Sequence, residues 1–144
     1  MSDNVPIEIG LGERLGRRIF QSDKAKRARR DPAGDPKPMF DFRAFVDKHP
    51  GISVDRLDYA SVAQLTEIAD AELLPGQDRF FGWFVIEARV AAEKYKPLGS
   101  KKDTNPFHAD LWLPEAAISD PAERKALALD LAQASRWQER ADRK

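Results

Sequence analysis

The stretch Arg79–Glu87, RFFGWFVIE, is the most apolar run in the chain, and the fold reading starts from it. Aromatic and β-branched residues fill it, Pro75-Gly76 places a turn signal just before it, and it is too short for a buried helix. That pattern predicts a central strand buried on both faces of a sheet. Gly82 inside the run marks a bulge or a close approach of another backbone. Ala109–Leu113, closed by Pro114, reads as a second strand alongside it, and Ile52–Val54 as a further short strand.

Two helices carry clear boundary signals. Ser61 stands three residues before Gln64, as in a capping box, and Val62, Leu65, Ile68 and Ala69 form one apolar face that Pro75-Gly76 ends. The last helix is expected over Asp120–Arg143. Asp120 is its N-cap, Pro121 its first residue and Glu123 lies in its first turn, followed by a stripe of Leu127, Leu131 and Ala134. Shorter helices are expected around Phe42, Phe45 and Val46 and over Ala88–Tyr95, with KPLGSKKDTNP (96–106) as loop.

The N-terminal third reads differently. Val5, Ile7, Ile9 and Leu11 alternate with other residues, which predicts a strand that Pro6 confines to a sheet edge. Leu11, Leu15 and Ile19 recur every four residues and predict a helix, weakened by Gly12 and Gly16. Asp31–Pro38 holds three prolines and a glycine and is a linker. The expected fold is α+β: a small sheet of about three to four strands covered by two main helices, with a basic N-terminal arm. Residues 1–38 form the edge strand, arm and linker, and residues 39–144 the single core domain.

Composition narrows the chemistry. At 144 residues the chain has the usual size of one domain. It contains no cysteine, which excludes disulfides, a thiol nucleophile and cysteine-based zinc sites. Twenty-four lysines and arginines balance twenty-four aspartates and glutamates, so attraction to nucleic acid must come from local clustering. No segment reaches the roughly 18 apolar residues of a membrane helix, and the first residues lack the basic and apolar regions of a secretory signal. These features predict a cytoplasmic protein without a membrane partner.

Three motifs bear on function. Lys24, Lys26, Arg27, Arg29 and Arg30 crowd into seven residues downstream of Arg14, Arg17 and Arg18. Residues 14–30 could contact nucleic-acid phosphates or an acidic protein; the plain alternative is a solvated arm. In NPFHAD (105–110), His108 and Asp110 lie two apart, so on a strand they share a face. They could form an Asp-oriented general base, or two ligands of a metal site whose remaining ligands would have to be carboxylates, whereas the structural alternative is turn chemistry with Asn105 capping and His108 bonded to backbone. Trp137, between arginine and glutamine, suits an interface hot spot or the packing of the final helix. No G-x-S-x-G elbow or phosphate-binding glycine loop occurs, and no cofactor or metal site is indicated.

Three functional readings follow. The favoured expectation is a non-catalytic accessory protein of a larger intracellular assembly, meeting a protein partner through Arg17, Arg18, the basic cluster and Trp137. The alternatives are a small hydrolase or transferase, nuclease- or toxin-like, using His108 and Asp110, and a nucleic-acid-binding accessory protein. A cleft gathering His108 with basic groups would favour the enzyme. A solid core behind His108 would favour the interaction protein.

Overall fold

A spacing of four between Leu15 and Ile19 suits a helix face, but it also suits a strand face, because four is an even number of strand steps. The computed structural model describes residues 5–21, 25, 44–46, 50–77 and 79–141, and in it Arg14–Ile19 is strand β1 rather than the expected helix. Gly16 permits this. A Cβ there would lie 2.8 Å from Trp83 Cδ1, so only glycine lets the indole rest against the β1 backbone. Leu15 and Ile19 are buried on the opposite face.

The other strands are β2 (Gly51–Arg56), β3 (Gly82–Glu87), β4 (Lys96–Gly99), β5 (His108–Trp112) and β6 (Arg136–Glu139). They form one six-stranded sheet in the order β4-β5-β2-β1-β3-β6, with every pairing antiparallel. The helices are α1 (Val62–Ala71), α2 (Ala88–Ala91), α3 (Glu115–Ile118) and α4 (Pro121–Ala134). The class is broadly α+β, but the expected sheet of three to four strands under two helices is corrected: the described residues include six strands and the four short helices named above. The N-terminal arm is corrected too for Arg14–Ile19, which lies inside the sheet between β2 and β3. Of the basic cluster, Lys24, Lys26, Arg27, Arg29 and Arg30 lie outside the described residues, as do Phe42 and His49.

Three further expectations change, each because a tertiary partner outweighs a local signal. Lys96–Gly99 pairs with β5 despite Pro97, which an edge strand tolerates because its outer side needs no donor. The final helix stops at Ala134, and Arg136–Glu139 instead pairs with β3, where Trp137 meets Phe84 edge-on at 5.6 Å. The segment from Val5 to Glu13 forms no strand: the buried Arg56 guanidinium donates to the carbonyls of Pro6 and Glu8 and pairs with the Glu13 carboxylate at 2.9 Å. β5 also lies apart from β3, with β2 and β1 between them.

The boundary signals of the two longer helices are realised. Ser61 Oγ accepts from the Gln64 N–H at 3.1 Å, and Asp120 Oδ1 accepts from Ala122 and Glu123 at 3.1 and 3.2 Å. On one face of the sheet, Ile52, Val54, Phe84, Ile86, Ala109 and Leu111 pack with side chains from α2, α3 and α4. On the other, α1 presses Leu65 and Ala69 toward Trp83, Phe80 and Phe107. Arg140, which follows β6, pairs with Asp70 on α1 at 2.8 Å. Gly82 is a close-approach site with φ +151°: a Cβ there would run into the Gln138 carbonyl oxygen.

The α4 stripe is Leu127, Ala128, Leu131 and Ala132, whereas Ala134 is exposed. Leu131→Ala should therefore cost about 2–5 kcal/mol in urea denaturation as an unfilled core cavity, and Ala134→Ser should stay within about 0.5 kcal/mol. Equal stability of Leu131→Ala and the parent would place the core face elsewhere.

Candidate functional site

β1 and β2 part company early. They pair only at Leu15↔Arg56 and Gly16↔Asp55, whereas β1 follows β3 through six positions. Beyond Gly16 the ladder between β1 and β2 ends, and a cleft of about 670 Å³ opens between them. A carbonyl left without its ladder partner needs another donor. Arg17 supplies one: its Nη1 donates to Ser53 O at 2.9 Å and its Nε to Ala44 O at 2.7 Å.

Asp55 closes the inner end of the cleft. Its side chain is 2% exposed, and its carboxylate accepts four hydrogen bonds. Oδ2 takes Arg18 Nε and Trp83 Nε1, each at 2.8 Å, while Oδ1 takes Arg18 Nη2 at 2.9 Å and Asn105 Nδ2 at 3.0 Å. Arg18 also reaches Glu72 at 2.9 Å. Burial works against the Arg18 charge, but Asp55 and Glu72 outweigh it and hold the guanidinium above its ordinary value. Burial likewise pushes the Glu72 carboxyl up, yet the Thr104 hydroxyl and Arg18 overcome this and hold it below the ordinary carboxylate range.

His108 stands across the sheet from Asp55, at the register pair Asp55↔His108, and also lines the cleft. Ser100 lies between it and Asp110. Ser100 Oγ donates to Asp110 Oδ2 at 2.7 Å and sits 2.7 Å from His108 Nδ1, which is also 3.1 Å from Ser100 O. A carbonyl oxygen can only accept, and the serine proton is already given to Asp110, so Nδ1 carries the imidazole proton. Nε2 is then left with its lone pair. It is buried and has no hydrogen-bond partner among the described residues. Burial and the nearby Lys102 charge lower the His108 pKa, against an upward pull from Asp110, so the ring is neutral at pH 7.

The sequence-predicted residues thus separate into groups. His108 and Asp110 share a strand face and are joined through Ser100 rather than directly. Arg17 and Arg18 line the cleft and are bonded within the chain. Trp137 is half-buried against Phe84, with its N–H donated to Glu139 at 2.6 Å. Asp55, Glu72, Ser100 and Lys102 were not singled out from the sequence. Asp55 left one signal, an acid on the alternating strand ISVDR, whereas Ser100 sits in a stretch whose composition reads as loop. Among the described residues no cluster of three or more histidines, aspartates or glutamates could hold a metal ion, and no helix is long and apolar enough to cross a membrane. Compared with models of protein families, with curated proteins and with solved structures, the chain matches none.

Two outcomes follow from this geometry. Asp55→Ala leaves Trp83, Asn105 and part of Arg18 without an acceptor and should cost about 3–5 kcal/mol in chemical denaturation, whereas Glu72→Ala, at the more exposed end of Arg18, should cost about 1 kcal/mol or less. The pH dependence has a definite sign. His108 binds its proton less readily folded than unfolded, so its contribution to stability is complete above the ordinary value of 6.5 and is lost as pH falls below it. Melting curves of the parent and of His108→Gln should diverge at neutral pH and converge toward pH 5; a constant gap between them would show that His108 folds with an ordinary pKa.

Proposed function

We propose that the chain works through the cleft between β1 and β2, as a small hydrolase or transferase in which His108 is the general base. The observation that carries this reading is the Nε2 lone pair of His108, buried and unpartnered among the described residues, on a residue that lines the cleft and holds its proton at Nδ1. Buried acceptors are nearly always satisfied, and one left open beside a cleft is a place for a ligand proton. Asp110 acts through Ser100 as the positioning group: Ser100 accepts the Nδ1 proton and is itself oriented by the Asp110 carboxylate. A cleft of about 670 Å³ suits a small molecule rather than a macromolecular strand.

The accessory-protein reading keeps one supporting observation. A shallow depression of about 300 Å³ between Val46, Ile118 and Pro121 is largely apolar, and Val46 and Ile118 are exposed. Arg17, Arg18 and Trp137, the described residues expected to meet a partner, are engaged within the chain. A basic-arm contact would therefore fall to Lys24, Lys26, Arg27, Arg29 and Arg30.

The deciding experiment is a panel of small esters, amides, acids and phosphate esters offered to the full chain, with melting temperature and turnover as readouts. A ligand of the cleft should raise the melting temperature of the parent but not of His108→Gln, and any turnover should fall about 10²–10⁴-fold in that variant. Hits that act equally on both proteins, or a panel without hits beside salt-sensitive capture of nucleic acid or an acidic protein, would move the function from the cleft to the arm.

A further inference from the structure

On the reading that the cleft is the working site, its charges specify what it takes. Among the described residues, Arg17, Arg18 and Lys102 line it together with Asp55 and Glu72, and an incoming anion needs a positive charge to meet. The two arginines do not supply it freely. Arg18 is gripped by Asp55 and Glu72, and Arg17 is bonded to the carbonyls of Ala44 and Ser53. Lys102 differs: its ammonium makes no ion pair or hydrogen bond among the described residues, although its charge acts on both Glu72 and His108. An uncommitted cation therefore stands near an uncommitted acceptor, the buried Nε2 of His108. Ile19, Phe20, Val46 and Leu74 add an apolar wall.

The geometry points to a phosphate monoanion, free as dihydrogen phosphate or as a singly protonated monoester, as the ligand class: an anionic oxygen meets Lys102 while a phosphate O–H donates to His108 Nε2. One ligand then answers both the charge and the acceptor. A fully deprotonated group would leave Nε2 unpaired and bring a second negative charge beside the carboxylates of Asp55 and Glu72. The apolar wall gives an ester's organic body a place that free phosphate leaves empty. A site that must receive a hydrogen bond rejects an analogue lacking the donor, because the buried partner is then left bare.

Sulfate supplies that analogue: it has the size and shape of phosphate but no O–H near neutral pH, and its second negative charge would favour it at Lys102, so a preference for phosphate reports the O–H. Calorimetric titration of the full chain at about pH 6, where a phosphate monoester is half protonated, should give phosphate at least about tenfold tighter than sulfate. Lys102→Ala, at an exposed position, should weaken both anions by a similar factor and keep their ratio. His108→Phe, checked for folding by its melting curve, should erase the ratio. Phenyl phosphate binding more tightly than free phosphate would identify an ester, and its exclusion would identify free phosphate. Equal binding of phosphate and sulfate would reduce the contact to an adventitious ion only and overturn the inference. If neither anion binds while uncharged panel compounds still depend on His108, the ligand class falls and the cleft reading stands. If no compound of either kind acts through His108, both fall.

Discussion

Four N–H groups from three side chains converge on the Asp55 carboxylate, and the arrangement of the sheet depends on that convergence. A carboxylate taken out of water is tolerated only where donors replace the water it loses. Here the donors come from β1 through Arg18, from β3 through Trp83, and from the turn before β5 through Asn105. Asp55 itself is on β2. One ion therefore ties together the four inner strands of the sheet, and Asn105 extends the tie by accepting the Phe107 N–H at 3.0 Å and so shaping the entry to β5.

The same ion explains why a cleft can exist inside a sheet. Adjacent strands that stop pairing after two positions would ordinarily leave bare backbone and drift. Arginines replace the missing ladder: Arg17 bonds to the Ser53 carbonyl, and Arg18 bridges to Asp55. Guanidinium groups suit this task because each is planar, permanently charged and able to donate in several directions at once. The opening between β1 and β2 is thus held by charge-assisted hydrogen bonds, and its walls are polar where the neighbouring core is apolar. His108 belongs to those walls, and its hydrogen bonds to Ser100 fix the proton on the side away from the free lone pair.

Basic residues that look like a surface for partners can serve the interior instead. Arg17, Arg18, Arg56 and Arg140 are all partly or fully buried and all bonded to carbonyls or carboxylates. Their stems cross apolar surroundings while their heads find acceptors. Arg56 gathers the irregular segment from Pro6 to Glu13 against the sheet, and Arg140 fastens the chain after β6 to α1. Zero formal net charge is consistent with such internal matching, since each of these cations has a carboxylate or carbonyl assigned to it.

Sequence alone determined the features whose cause is local. The strand Gly82–Glu87 within the apolar run over Arg79–Glu87 (one place from the sheet edge rather than central as expected), the caps at Ser61 and Asp120, and the shared strand face of His108 and Asp110 are each set by residues a few positions apart. Features that needed a distant partner were decided by the tertiary structure. Leu15 and Ile19 fit helix and strand equally until Trp83 lies across Gly16, and Arg136–Glu139 continues a helical pattern until β3 offers an open edge. The candidate site shows the same division. His108 and Asp110 were legible because they neighbour each other on one strand, whereas Asp55, Lys102 and Ser100 join them only when β2, β5 and the end of β4 come together. Spacing along the chain records local conformation, but a buried charge records its partners only in space. Only the folded sheet could show that Asp55 would meet Arg18, Trp83 and Asn105.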